Sequence, residues 1–260
     1  MGRLQDKTII VTGGAKGIGA ADCRLMVGEG ARVVIADTDV DAGHDLEAEL
    51  GPNTLFVRHD VTQAGSWVRL VEATVGRFGK LDGLVNNAAV LRMHTPETVE
   101  IEDCRAVMSV SVEGTVLGCK HVLPAMKASG GGSIINMSSI GAINGEPVVS
   151  AYTAAKGAVE AYTRTVAVYC AQARIPVRCN SVHPGVVDTP MSRSVGALIA
   201  EMDVSALGET PSAGLVNPVA SPNDIAWLVV YLASDESRFV SGQKFVVDGT
   251  VTVTPGRVPA

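Results

Sequence analysis

Seven short apolar stretches alternate with helix-length ones along almost the whole chain, and this alternation restricts the fold more than any other feature. TIIVT (8–12), RVVIA (32–36), TLFVR (54–58), DGLVN (82–86), SIINMS (133–138), VRCNSV (177–182) and KFVVD (244–248) read as strands. Several are apolar at consecutive positions, as strands covered on both faces are. Segments 17–29, 41–50, 65–78, 100–128, 151–173 and 222–233 read as helices. A β-α-β-α order implies a parallel sheet wrapped by helices. No linker rich in Pro, Gly or Ser divides the chain and no repeat appears, so residues 1–260 are expected to form one domain. Region 190–221 breaks the alternation with Gly, Ser and Pro around a weakly helical centre. A loop of that length in a compact domain is usually functional, and it reads as a flap over a substrate.

Directly after the first strand comes TGGAKGIG (12–19), with Gly13, Gly17 and Gly19 spaced G-x-x-x-G-x-G. A tight turn without side chains lets the backbone approach a pyrophosphate, and the following helix offers it unpaired N–H groups. The second strand ends in Asp37, whose carboxylate suits ribose hydroxyls. The expected fold is therefore α/β: a single-domain, Rossmann-type, doubly wound parallel sheet of about seven strands with helices on both faces. Asp37 also opposes a 2′-phosphate by like charge. Lys16 in the glycine loop pulls the other way, but from one side, and the expected cofactor is NAD. A calcium loop starting at Asp37 fails, because Ala42 stands where Gly is needed and Ala48 where Glu is needed. No metal site is expected.

Tyr152 and Lys156 lie four apart in SAYTAAKG, on one helix face, with Ser139 thirteen residues upstream of the tyrosine. A free phenol titrates near ~10 and a general base works best near ~7. One positive charge at roughly 4 Å, at an effective dielectric of ~20, supplies about the 4 kcal/mol required. The pair is a route to a phenolate.

The balance of 21 basic and 27 acidic side chains, net −6, argues against nucleic acid or an anionic membrane as partner. The N-terminus carries too short an apolar run for a signal peptide or membrane span, and Asp6 spoils a myristoylation match. Cys23, Cys104, Cys119, Cys170 and Cys179 are scattered and odd in number, which suits reduced thiols in a cytoplasmic protein. The Asn-x-Ser match at Asn136 falls on a core strand, so glycosylation is not expected there.

Taken in order, TGGAKGIG, Asp60-Val61, NNAA (86–89), Ser139, YTAAK (152–156), HPGVVDTP (183–190) and SGQKFVVDG (241–249) resemble the short-chain dehydrogenase/reductase family across nearly the whole chain. The look is closest to NAD-dependent members oxidising hydroxysteroids or alicyclic secondary alcohols. The resemblance implies that Thr12, Gly13, Gly17, Ile18 and Gly19 hold the pyrophosphate, and that Asp60 and Val61 bracket the adenine. Asn87 and Ala88 would line the cofactor channel. After the turn at Pro184-Gly185, Val187 and Thr189 would anchor the carboxamide. Tyr152 would be the general acid/base, Lys156 its acidifier and a ribose ligand, and Ser139 a hydrogen-bond partner of the substrate oxygen. Ser111 stands where the family usually has an Asn of the proton relay; it would either serve that relay or simply pack. Thr250 replaces a usual second glycine and Ala89 the usual Gly of NNAG, both read as tolerable.

Val90, Leu91, Met93, Ala142, Ile143, Val148, Met191 and Val195 are expected to wall an apolar pocket, with His94 and Glu146 as polar exceptions. His94 is expected to be solvated and His183 structural. The pocket suits an apolar secondary alcohol or ketone. The small residues Gly114, Gly118, Ala154, Ala155 and Ala158 suggest close helix packing, and the family implies a homotetramer. The rival readings are an NADPH-linked 3-oxoacyl-thioester reductase, which needs a basic patch at the pocket mouth, and a catalytically silent nucleotide-binding protein.

Overall fold

The computed structural model describes residues 2–194 and 219–253. In chain order the elements are β1 (Thr8–Thr12), α1 (Gly17–Gly28), β2 (Arg32–Asp37), α2 (Val40–Leu50), β3 (Thr54–Arg58), α3 (Ala64–Phe78) and β4 (Gly83–Asn86). Then come α4 (Ile101–Met108), a π-helical turn (Ser109–Glu113), α5 (Gly114–Ala128), β5 (Gly132–Met137) and α6 (Ser150–Gln172). The series closes with β6 (Val177–Pro184), α7 (Pro222–Ala233) and β7 (Lys244–Val247). All seven expected strands are present. The single helix expected over 100–128 is instead two helices joined by the π turn.

The strands form one parallel sheet in the order β3-β2-β1-β4-β5-β6-β7. Strand order reverses between β1 and β4, which opens a crevice at their carboxyl ends, the usual ligand position in such sheets. Two apolar layers cover the sheet. One joins Val11, Val33 and Ile35 to Met26 of α1 and Ile225 and Val229 of α7. The other joins Ile10, Leu84 and Ile134 to Trp67 and Leu70 of α3, Val122 of α5 and Val166 of α6. A small third cluster, Val107, Ala151 and Ala155 with Tyr152 against it, fastens α4 to the start of α6.

Gly114 and Gly118 serve packing inside the chain: a Cβ on Gly114 would lie 2.9 Å from Val61, and one on Gly118 2.8 Å from the Trp67 ring. Ala155 is likewise buried. Thr250 has φ +78°, a left-handed conformation that costs a β-branched residue about 1–2 kcal/mol, so the missing glycine is not free of strain. Asn136 is fully buried, accepting from Asn86 Nδ2 and donating to Thr163 Oγ1, each at 2.9 Å, which rules out a sugar. Most of the expected flap, 195–218, lies outside the described residues. Its two ends meet, with Asp188 N donating to Ala220 O and Ala220 N to Val186 O, both at 2.9 Å.

Candidate active site

β1 delivers the glycine loop into the crevice and β4 delivers Asn87. The two are tied together: Asn87 Nδ2 donates to the carbonyls of Thr12 and Gly13 at 3.0 Å, and Thr12 Oγ1 accepts from the N–H groups of Asn87 and Ala88. Asn87 thus braces the loop. Gly13 and Gly17 have φ of +60° and +56°, and a side chain at Gly19 would run into the Gly13 carbonyl. Only glycine makes this turn, and it keeps the amino end of α1 open to an anion.

Asp37 is fixed by two backbone donors, Ala15 N on Oδ2 and Asp39 N on Oδ1, both at 3.0 Å. Lys16 is not free: its ammonium is engaged by Asp39. Asp60 accepts from Thr62 N at 2.9 Å and from Thr62 Oγ1 at 2.7 Å, while Val61 is buried. Beyond β6, a Cβ on Gly17 would touch Thr189 at 3.3 Å, so the turn after Pro184-Gly185 faces the glycine loop. Ser192 Oγ holds that turn, donating to Val187 O at 2.6 Å and accepting from Thr189 N at 3.0 Å. The cradle therefore fits a dinucleotide.

Ser139 caps a short 3-10 turn, its Oγ accepting from Gly141 N at 3.1 Å. The Ser139 carbonyl accepts from Nδ1 of buried His183 at 3.0 Å, and the far nitrogen of that ring meets Ser181 Oγ. A carbonyl partner requires the proton on Nδ1, and burial keeps the ring neutral by pushing its pKa down. His183 is structural as expected, and it positions the serine. Tyr152 and Lys156 occupy the first two turns of α6. Lys156 is 3% exposed and donates to Met137 O at 2.7 Å, with its nitrogen 5.4 Å from the centroid of the Tyr152 ring.

The phenolate expectation is not met by the protein alone. Burial pushes the Tyr152 phenol up to about 12, with Ser139 pulling the other way, and burial pushes the Lys156 ammonium down to about 8. Loss of water dominates for both groups.

Ser111 lies in the π turn, buried, with its hydroxyl unpartnered among the described residues. A cleft of about 400 Å³ is lined by Ala89, Val90, Leu91, Met93 and Met191, joined by Arg92 and Ser194. Ala142, Ile143 and Val148 stand outside its wall, and Val195 lies outside the described residues. Arg92 was not expected; it is paired with Asp103 at 3.3 Å. His94 is buried, not solvated, because its backbone pairs with Val148–Val149 and its ring meets Ser150 Oγ at 3.0 Å.

A family model described as enoyl-(acyl carrier protein) reductase matches residues 13–252. The NADP-dependent (R)-specific alcohol dehydrogenase of Lentilactobacillus kefiri is 40% identical, covering 96% of this chain and 98% of its own. The chain is a short-chain dehydrogenase/reductase. The 3-beta-hydroxysteroid dehydrogenase of Comamonas testosteroni (38% identical; 96% and 97% covered) and the cyclopentanol dehydrogenase of a Comamonas species (38%; 97% and 99%) are similar along their whole lengths.

As in the family, a nicotinamide cofactor is used. What sequence reasoning missed in this dehydrogenase/reductase are the braces: His183 under Ser139, Met137 O under Lys156, and Ser138 Oγ, which donates to the Lys156 carbonyl at 2.9 Å. The HPG motif was the one visible signal, for His183.

Proposed function

We propose that the protein catalyses reversible, NAD-dependent oxidation of an alicyclic or hydroxysteroid-like secondary alcohol to a ketone. The observation that carries this is the meeting of Ser139 with the Tyr152 phenol beside buried Lys156, with Val90 of the largely apolar cleft packed in the same cluster as Tyr152. Ser139 holds the substrate oxygen and Tyr152 takes its proton. Lys156 keeps a positive charge beneath the site, stabilising the developing alkoxide. A bound oxidised nicotinamide supplies the hydride acceptor and a second positive charge. Burial pushes the free phenol up to about 12, and the positive charge of a bound oxidised nicotinamide would work against that rise.

NAD is favoured by the two-point anchoring of the Asp37 carboxylate and by the diversion of Lys16 to Asp39. NADP is the second reading, since one similar relative is named NADP-dependent. The apolar cleft and the cyclic-alcohol and steroid names of the relatives support the substrate class. Against thioesters, Arg92 is a single cation already paired with Asp103. We place the enzyme in the cytoplasm. Its assembly is a homotetramer through α5 and α6, where Val168 and Tyr169 are exposed on α6; light scattering at one or two chains would refute that.

The test is NADH formation with cyclopentanol, cyclohexanol and a hydroxysteroid. Tyr152→Phe is expected to lower kcat at least ~10³-fold while retaining NAD binding, within the roughly 10²–10⁴-fold that a general base supplies. A Phe variant of near-normal rate, or activity with NADPH and 3-oxoacyl thioesters alone, would overturn the reading.

A further inference from the structure

Glu146 lies in the loop before α6, beside the segment where Val149 bridges to His94. A methyl carbon placed on Gly141 would stand 3.4 Å from Thr153 Oγ1, 3.5 Å from Ser139 Oγ and 3.7 Å from Glu146 Cγ. These three polar side chains therefore share one small wall. Glu146 Cγ is within about 7 Å of the Ser139 hydroxyl, the two legs added.

The glutamate is half-buried, and its carboxylate has no hydrogen bond or ion pair among the described residues. Arg92 does not serve it, being held by Asp103. Thr153 Oγ1 is buried and also without a partner. Several other carboxylates of this chain have donors: Glu47 accepts from Phe56 N at 2.8 Å, Glu29 from Arg3 N at 2.8 Å, and Glu160 meets Arg164. Among the described residues nothing donates to Glu146, so its hydrogen bonds come from water or from a molecule bound in the site. Burial raises its pKa, the direction expected of an acid with no donor.

We propose that Glu146 is a specificity-determining residue: its carboxylate accepts a hydrogen bond from a second polar group of the substrate. That group is a hydroxyl or ammonium across the ring from the reacting carbinol. By like charge, the same residue turns away substrates carrying a carboxylate there. The inference rests on the secondary-alcohol reading above and adds to it a preference for diols and amino alcohols.

The experiment measures NAD-dependent kcat/KM for cyclohexanol, trans-1,4-cyclohexanediol, trans-4-aminocyclohexanol and trans-4-hydroxycyclohexanecarboxylate, with wild type and Glu146→Gln. In the wild type, the diol and amino alcohol should exceed cyclohexanol and the hydroxy acid should fall below it. In E146Q, which keeps an acceptor oxygen but loses the negative charge, the amino-alcohol-to-cyclohexanol ratio should fall about tenfold, mostly through KM. The hydroxy-acid ratio should rise. A change shared equally by all four substrates, or unaltered ratios, would overturn the role of Glu146 while leaving the alcohol dehydrogenase reading intact. Failure of the wild type to oxidise any of the four would overturn that reading and this inference with it.

Discussion

Tyr152 and Lys156 show how a motif can be legible while its electrostatics are not. Their i, i+4 spacing placed both on one face of α6, and the structure keeps them there. The direction of the phenol's pKa depends instead on how much water each group loses, which no spacing encodes. His94 failed for the same reason: burial came from its pairing with the 148–149 segment. Asp37 was legible because its position at the end of β2 follows from the strand pattern. Replacing it with Ser removes the charge that opposes a 2′-phosphate. The NADP-to-NAD ratio of kcat/KM is expected to rise at least about tenfold, part of the roughly 4 kcal/mol that two unit charges exchange at close range before screening. Steady-state kinetics with both cofactors reads this, and an unmoved ratio would assign cofactor choice elsewhere.

Among the elements, α1 carries an oddity. Asp22 of α1 is fully buried, with both oxygens unpartnered among the described residues. Burial pushes its carboxyl well above the ordinary range. Such a group costs no stability while both states are protonated, and the penalty builds as pH rises from the unfolded value of about 3.9 towards the folded one. Asp22→Ala is expected to stabilise by about 1–2 kcal/mol, the cost of an unsatisfied polar group less a small cavity. The gain should grow as pH rises above about 4, the unfolded value. A urea midpoint that falls instead would mean the carboxyl has a partner. Sequence pattern hid this, because an acid on an otherwise apolar helix face reads as a solvated position. The π turn was hidden too: a single inserted residue leaves the apolar periodicity of 100–128 almost intact.

At the scale of the whole molecule, the alternation made the parallel sheet legible, while the strand order, and with it the crevice between β1 and β4, is visible only in the structure. Acid stability was not legible either. His59 is buried against Trp67 and Ser66, and burial pushes its pKa down to about 4. At pH above 6.5 folded and unfolded chains both hold it neutral. As pH falls from 6.5 through about 4, the unfolded chain takes up a proton that the folded one resists, and up to about 3 kcal/mol is lost. Urea titrations across that window should show the decline, and His59→Asn should flatten it, apart from a residue due to His183 and His121, which burial also lowers. An equally steep decline in the variant would acquit His59. The π turn has a consequence at this scale as well. One surplus residue advances a helix by about 100°, so Ser109–Glu113 works as a phase shifter between α4, which meets α6 at Ala151 and Ala155, and α5, which meets Trp67. Relatives that lack the surplus residue could not exchange this stretch with the present chain piecemeal; only the entire 101–128 unit would transplant in register.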